Sequence, residues 1–107
     1  GFLVSLENVA KQFNKPAILS EIGYDNFDGV NSDPSGIRIK GASEDLQEQA
    51  DCYQAALEMV MGRSWLKGIF WFQWNAITAP SPWPGDPHDK PAEEVLKKFY
   101  LVEEKPK

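Results

Sequence analysis

Apolar residues along this chain alternate between a helical period and short continuous runs. Leu6, Val9, Ala10 and Phe13 recur at i, i+3, i+4 and i+7, the stripe of an amphipathic helix, with Ser5 as its expected N-cap. Lys15 closes that helix with favourable charge and Pro16 blocks its continuation. Pro16-Ala17-Ile18-Leu19-Ser20-Glu21-Ile22-Gly23-Tyr24 then reads as a short strand, apolar on both faces as in parallel sheets covered by helices. From Asp25 to Gly41 the sequence is polar and aperiodic, a loop long enough to be functional or mobile. Ser43-Glu44-Asp45 opens a second helix with an N-cap and two acids at the positive end of its dipole. Leu46, Ala50, Tyr53, Leu57 and Val60 form its stripe, and Gly62 and Arg63 end it. Leu66-Lys67-Gly68-Ile69-Phe70-Trp71-Phe72-Gln73-Trp74 is the second strand. After a proline-rich surface loop (Asn75 to Asp89, with Pro80, Pro82, Pro84 and Pro87 around Trp83), Pro91 starts a last helix carrying Ala92, Val95, Leu96 and Phe99. The charged tail from Glu103 is expected to fray.

The fold class this predicts is α/β, in the order αβαβα. Two strands joined through a helix must run parallel, with a right-handed crossover, if they share a sheet. Two parallel strands leave two open edges and cannot close a core by themselves. The chain therefore either pairs with copies of itself, as a homo-oligomer, or belongs to something larger.

Composition narrows the classes. At 107 residues the chain suits one small domain and falls far short of the ~250 residues of a closed (β/α)₈ barrel. A hydrophobic content of 42% with 25% charged residues is ordinary for a globular chain. Sixteen acidic against eleven basic residues, a net charge of −5, disfavours a nucleic-acid partner and an anionic membrane surface. No run approaches the ~20 apolar residues of a membrane span. The start, Gly1-Phe2-Leu3-Val4, is too short and uncharged to be a signal peptide. Cys52 is alone, so no internal disulfide forms. With one cysteine and one histidine, His88, a Cys/His zinc cluster is excluded within one chain. No cofactor or metal site is expected, and nothing fixes the compartment.

Candidate chemistry concentrates at the carboxyl ends of the two strands. Glu21 interrupts an apolar run next to Gly23, and is either a solvent-facing carboxylate or a site acid kept by pairing or a cleft. Trp74 ends the second strand, either covering the core or offering a flat face to a sugar ring. Alternation puts Phe70, Phe72 and Trp74 on one face of that strand, and Trp71, Gln73 and Asn75 on the other. Asn75 is then a hydrogen-bonding group or a plain turn residue. Tyr24, at the end of the first strand, and Trp83, in the proline-rich loop, are further substrate-binding candidates. For Trp83 the alternative is a ring folded back over the core. His88, before a helix start, reads as a capping or solvent-facing residue ahead of a catalytic one. Asp25, Asn26, Asp28, Asn31 and Asp33 lack the spacing and closing Glu of an EF-hand, and are set down to solvated turn chemistry. Glu44, Asp45, Glu48, Glu93 and Glu94 read as helix-face and dipole charge, and Cys52 as a partly buried thiol.

Lys15-Pro16-Ala17-Ile18-Leu19-Ser20-Glu21-Ile22-Gly23-Tyr24, the helix with Gln47, Gln49 and Tyr53, the run Trp65 to Trp74, and Lys90-Pro91-Ala92-Glu93 together resemble the end of a clan A glycoside hydrolase. They are most similar to glycoside hydrolase family 113, which includes β-mannanases. The resemblance implies that residues 1–107 form one partial domain, the C-terminal part of a TIM (β/α)₈ barrel running from helix six through helix eight. It implies a retaining hydrolase acting on β-linked, mannan-like polysaccharide, with Glu21 matching the strand-seven nucleophile and Trp74 the strand-eight sugar platform. It also implies a missing partner. The acid/base Glu of the clan ends strand four, and strands one to six have no counterpart here, so the isolated chain is expected to be inactive. A non-catalytic self-associating or carbohydrate-binding module is the alternative.

Overall fold

Helix and strand alternate as α1 (Phe2–Phe13), β1 (Ala17–Ile22), α2 (Leu46–Met61), β2 (Leu66–Trp71) and α3 (Pro91–Tyr100) in a computed structural model, which describes residues 1–33, 41–76 and 82–101. The tail from Glu103, Pro80 and the middle of the Asp25–Gly41 loop lie outside the described residues.

The strands pair in parallel, Ala17 opposite Leu66, Leu19 opposite Ile69 and Ile22 opposite Trp71. From Leu19 to Ile22 the first strand takes three steps while its partner takes two, so an extra residue is accommodated at Ser20–Glu21. A bulge of this kind re-aims side chains. Exposure changes phase at that point: Ile18 and Ser20 are exposed in alternation with Ala17 and Leu19, then Glu21 is exposed as well and Ile22 is half-buried.

Helices α2 and α3 cover one side of this sheet. Ala50, Tyr53 and Leu57 from α2 meet Ala92 and Leu96 from α3, with Tyr24, Trp71, Val95 and Phe99 against them. Tyr53 stacks on Trp71 at 4.4 Å, and the Trp71 indole N–H donates to the Tyr100 hydroxyl at 3.0 Å. On the other side Ile18, Phe70 and Phe72 are open, the last two at 64% and 56% exposure. The molecule measures 44 × 39 × 20 Å, and its short axis is one sheet and one helix layer deep, ~10 Å each. Its radius of gyration of 15.4 Å exceeds the ~13 Å of a compact chain of this length.

Several expectations need correcting. Helix α1 starts at Phe2 with Gly1 as its N-cap, and Ser5 lies inside, its amide already bonded to the Gly1 carbonyl at 3.2 Å. Its end is set by Asn14, left-handed at φ 50°, whose amide caps Ala10 and Lys11; Asn tolerates that conformation. Of the α1 stripe only Ala10 is buried, while Val9 and Phe13 are exposed, because no second layer lies over the helix. The N-cap of α2 is Asp45, whose carboxylate accepts the Glu48 amide at 2.9 Å, and Glu44 instead forms an antiparallel bridge with Phe27. Cys52, read as partly buried, keeps only 9% exposure, and burial pushes its thiol pKa up, with Glu48 and Asp51 adding to the rise. The second strand stops at Trp71, three residues early, so strand alternation no longer governs Trp74.

Candidate active site

The two strand ends touch closely. The Phe72 amide donates to the Ile22 carbonyl at 2.8 Å, and a Cβ on Gly23 would collide with the Phe72 carbonyl. Only glycine lets the backbone after Glu21 come this near its neighbour. Glu21 is exposed on its bulged strand end, and no side-chain hydrogen bond or ion pair joins its carboxylate to another described residue. The exposed Phe72 ring belongs to the adjacent strand end. Strand reasoning did not single out Phe72, which lies one residue beyond the partner of Ile22.

Trp74 lies elsewhere than alternation put it. Its half-exposed indole tilts against the His88 ring at 4.9 Å and lines an open groove of about 450 Å³ with Leu96 and Tyr100 of α3. Tyr24 is half-buried, edge-on to Tyr53 at 6.0 Å, and burial raises its hydroxyl pKa, with Cys52 adding to the rise. Trp83 is exposed, and its carbonyl takes the Lys90 ammonium at 2.7 Å. Asn75 acts through its backbone: its amide donates to Asp86 at 3.1 Å and its carbonyl meets His88 Nδ1 at 2.9 Å. Glu21 and Phe72 therefore share one strand-pair end, while Trp74 and Asn75 contact the 82–90 segment, which carries Trp83.

That segment was expected to be a surface loop, yet Asp86, Pro87 and Lys90 are buried. Buried polar groups survive only with partners. Asp86, fully inaccessible, accepts the amides of Asn75 and His88 at 3.1 and 3.0 Å. Gln49, equally inaccessible, donates to the carbonyls of Tyr24 at 2.9 Å and Pro84 at 3.0 Å, joining the end of β1 to the loop after β2. Tyr53 reaches the Gly85 carbonyl at a long 3.5 Å. Burial drives the Tyr53 hydroxyl pKa strongly upward, helped by Asp86, Asp25 and Tyr24. Burial lowers the Lys90 pKa against the opposing pull of Asp86, Glu44 and Asp25. The acidic turn is likewise organised: Glu48 accepts the amides of Gly29 and Asn31 at 3.0 and 2.9 Å, and Asn26, buried, donates to Glu44 at 3.2 Å. Among the described residues two groupings have ligand atoms within 4.8 Å of one another, His88 with Asp89 and Glu93, and Asp28 with Asp45 and Glu48. No helix among the described residues is long and apolar enough to cross a membrane.

Parallel strands backed by helices, with an exposed glutamate at a strand's carboxyl end, define an α/β piece of the TIM-barrel type. The family model of Glycoside Hydrolase Family 113 matches residues 2–84, and the chain belongs to that family. A solved complex of a GH113 β-1,4-mannanase is similar at a TM-score of 0.81 and 29% identity, over 94% of this chain and 34% of that one. The chain thus spans about a third of the mannanase's length. Curated proteins gave no match.

Proposed function

We propose that this chain is the C-terminal part, helix six to helix eight, of a retaining glycoside hydrolase acting on β-linked, mannan-like polysaccharide. Glu21 supplies the nucleophile. The observation that carries this is the exposure of Glu21 on the bulged carboxyl end of β1, in a chain of this family. Retaining hydrolysis needs a carboxylate at the anomeric carbon and a second carboxyl group about 5–5.5 Å away as acid/base. The second comes from strands this chain does not contain, so the chain alone is inactive. In the complete barrel Glu21 attacks the anomeric carbon and the leaving-group oxygen takes the acid's proton. Water then cleaves the glycosyl ester with the same group acting as base. Trp74, with Tyr24, Asn75 and Trp83, borders the sugar-binding cleft, and Phe72 adds an aromatic surface beside Glu21.

The test is complementation. Joining this chain to the remaining two-thirds of the similar mannanase is expected to give mannan hydrolysis. Glu21→Ala reduces it by at least about a thousandfold, and added azide restores turnover as a glycosyl azide, because azide fills the space of a missing nucleophile. Full activity in Glu21→Ala contradicts the assignment.

A second reading is favoured by the open apolar side carrying Ile18, Phe70 and Phe72: self-association of two copies through this face and the free strand edges, with or without oligosaccharide binding. Light scattering separates it from a folded monomer.

A further inference from the structure

The side chains of His88, Asp89 and Glu93 converge where the 82–90 segment enters α3, their ligand atoms all within 4.8 Å. The all-carboxylate grouping of Asp28, Asp45 and Glu48 is different in kind, because Glu48 is committed to the amides of Gly29 and Asn31 and Asp45 to capping α2. Here one ligand is an imidazole, and it is oriented from outside the cluster. The Asn75 carbonyl lies 2.9 Å from His88 Nδ1, a contact the ring makes as a donor in its Nδ1–H tautomer, in which Nε2 is the nitrogen with a lone pair for an ion. The ring's face rests on Trp74 at 4.9 Å, and the His88 amide is tied to the buried Asp86 at 3.0 Å. A backbone acceptor on the far nitrogen is the usual setting of a metal-binding histidine. Asp89 and Glu93 open onto a bowl of about 430 Å³ with Lys90, Glu94 and Lys97. Glu93 now holds the Lys97 ammonium at 3.5 Å, and Glu94 holds it at 3.2 Å, so Lys97 has a second carboxylate to fall back on if a cation takes Glu93.

We propose that His88, Asp89 and Glu93 bind a divalent transition-metal ion of the zinc class, tying the 82–90 segment to the start of α3. One imidazole with two carboxylates suits such an ion better than calcium, which prefers six to eight oxygens. Three protein ligands leave water to complete the sphere. The site does not depend on the glycosidase assignment.

Calorimetric titration of the full 107-residue chain with zinc chloride is expected to show one site, with calcium chloride giving no heat. Asp89→Asn and Glu93→Gln each weaken zinc binding about tenfold or more, His88→Ala abolishes it, and Lys97→Met tightens it by removing the competing cation. Added manganese broadens the indole N–H resonance of Trp74 ahead of the other tryptophans. Zinc affinity unchanged in Asp89→Asn and Glu93→Gln overturns the site, and so does binding lost only in Cys52→Ser, which would put the ion on the thiol.

Discussion

Gly23 and Gln49 hold the strand ends in place by opposite means, the first through the atom it lacks and the second through the bonds it makes. A methyl group at 23 meets the Phe72 backbone rather than a movable side chain, so relief requires the strands to separate. Gly23→Ala is expected to cost about 1–3 kcal/mol, the usual range for overfilling, read as a lowered urea midpoint. Gln49→Leu leaves the Tyr24 and Pro84 carbonyls without their donor, and at about 1–3 kcal/mol for each unsatisfied buried group the loss sums to about 2–6 kcal/mol. An unchanged midpoint for Gln49→Leu would show that this clamp carries no stability. Neither role stood out in the sequence. Gly23 reads only as part of the first strand and Gln49 only as part of a family resemblance; the partners of Gln49 lie 25 and 35 positions away, beyond any local period. Glu21 stands out in the sequence because a carboxylate inside an apolar run conflicts with its surroundings, and the structure leaves it exposed at the strand end.

Helix α2 is the element on which the fold turns, and its register was readable because Ala50, Tyr53 and Leu57 repeat cleanly. The same logic misjudged α1: a stripe says which face of a helix prefers burial, but not whether anything is there to bury it. The end of β2 was misplaced because aromatics favour strand conformation through Trp74, whereas pairing with β1 ends at Trp71. Tyr53, at the centre of α2, ties stability to pH. Its folded pKa lies above the ordinary value of 10.0, and that of Cys52 above 9.0. Above those ordinary values the unfolded chain releases protons that the folded chain keeps. Fewer protons on the unfolded state means stability falls as pH rises. Lys90 acts the other way, since its lowered pKa makes the unfolded chain the better proton binder just below the ordinary lysine value. With Tyr24 also raised, the three raised acids outweigh the one lowered base. Thermal melts are expected to fall steeply from about pH 9 upward. Tyr53→Phe, which gives up only a 3.5 Å contact, should flatten that fall while changing the melt at neutral pH little. An equally steep fall in Tyr53→Phe would place the effect elsewhere.

The whole molecule is a slab with one finished side. Helices α2 and α3 bury one face of the sheet, while Phe70 and Phe72 remain open opposite them. Exposed apolar patches of this sort mark association surfaces. The isolated chain is expected to self-associate at micromolar concentration, and Phe70→Glu, at an exposed position, should return it to a monomer in light scattering. A parent chain that stays monomeric while folded would remove the self-association reading and leave the barrel reading untouched. In that reading the open face is the inside of a larger barrel, and Glu21 stands on its rim. The most direct measurement is covalent trapping. The complemented barrel is incubated with an activated 2-deoxy-2-fluoro mannoside, which slows hydrolysis of a glycosyl ester, and its peptides are weighed. A sugar adduct on the peptide carrying Glu21 is the expected result. Hydrolysis of mannan by the complemented barrel with the adduct on another carboxylate, or with none, would contradict Glu21 as the nucleophile.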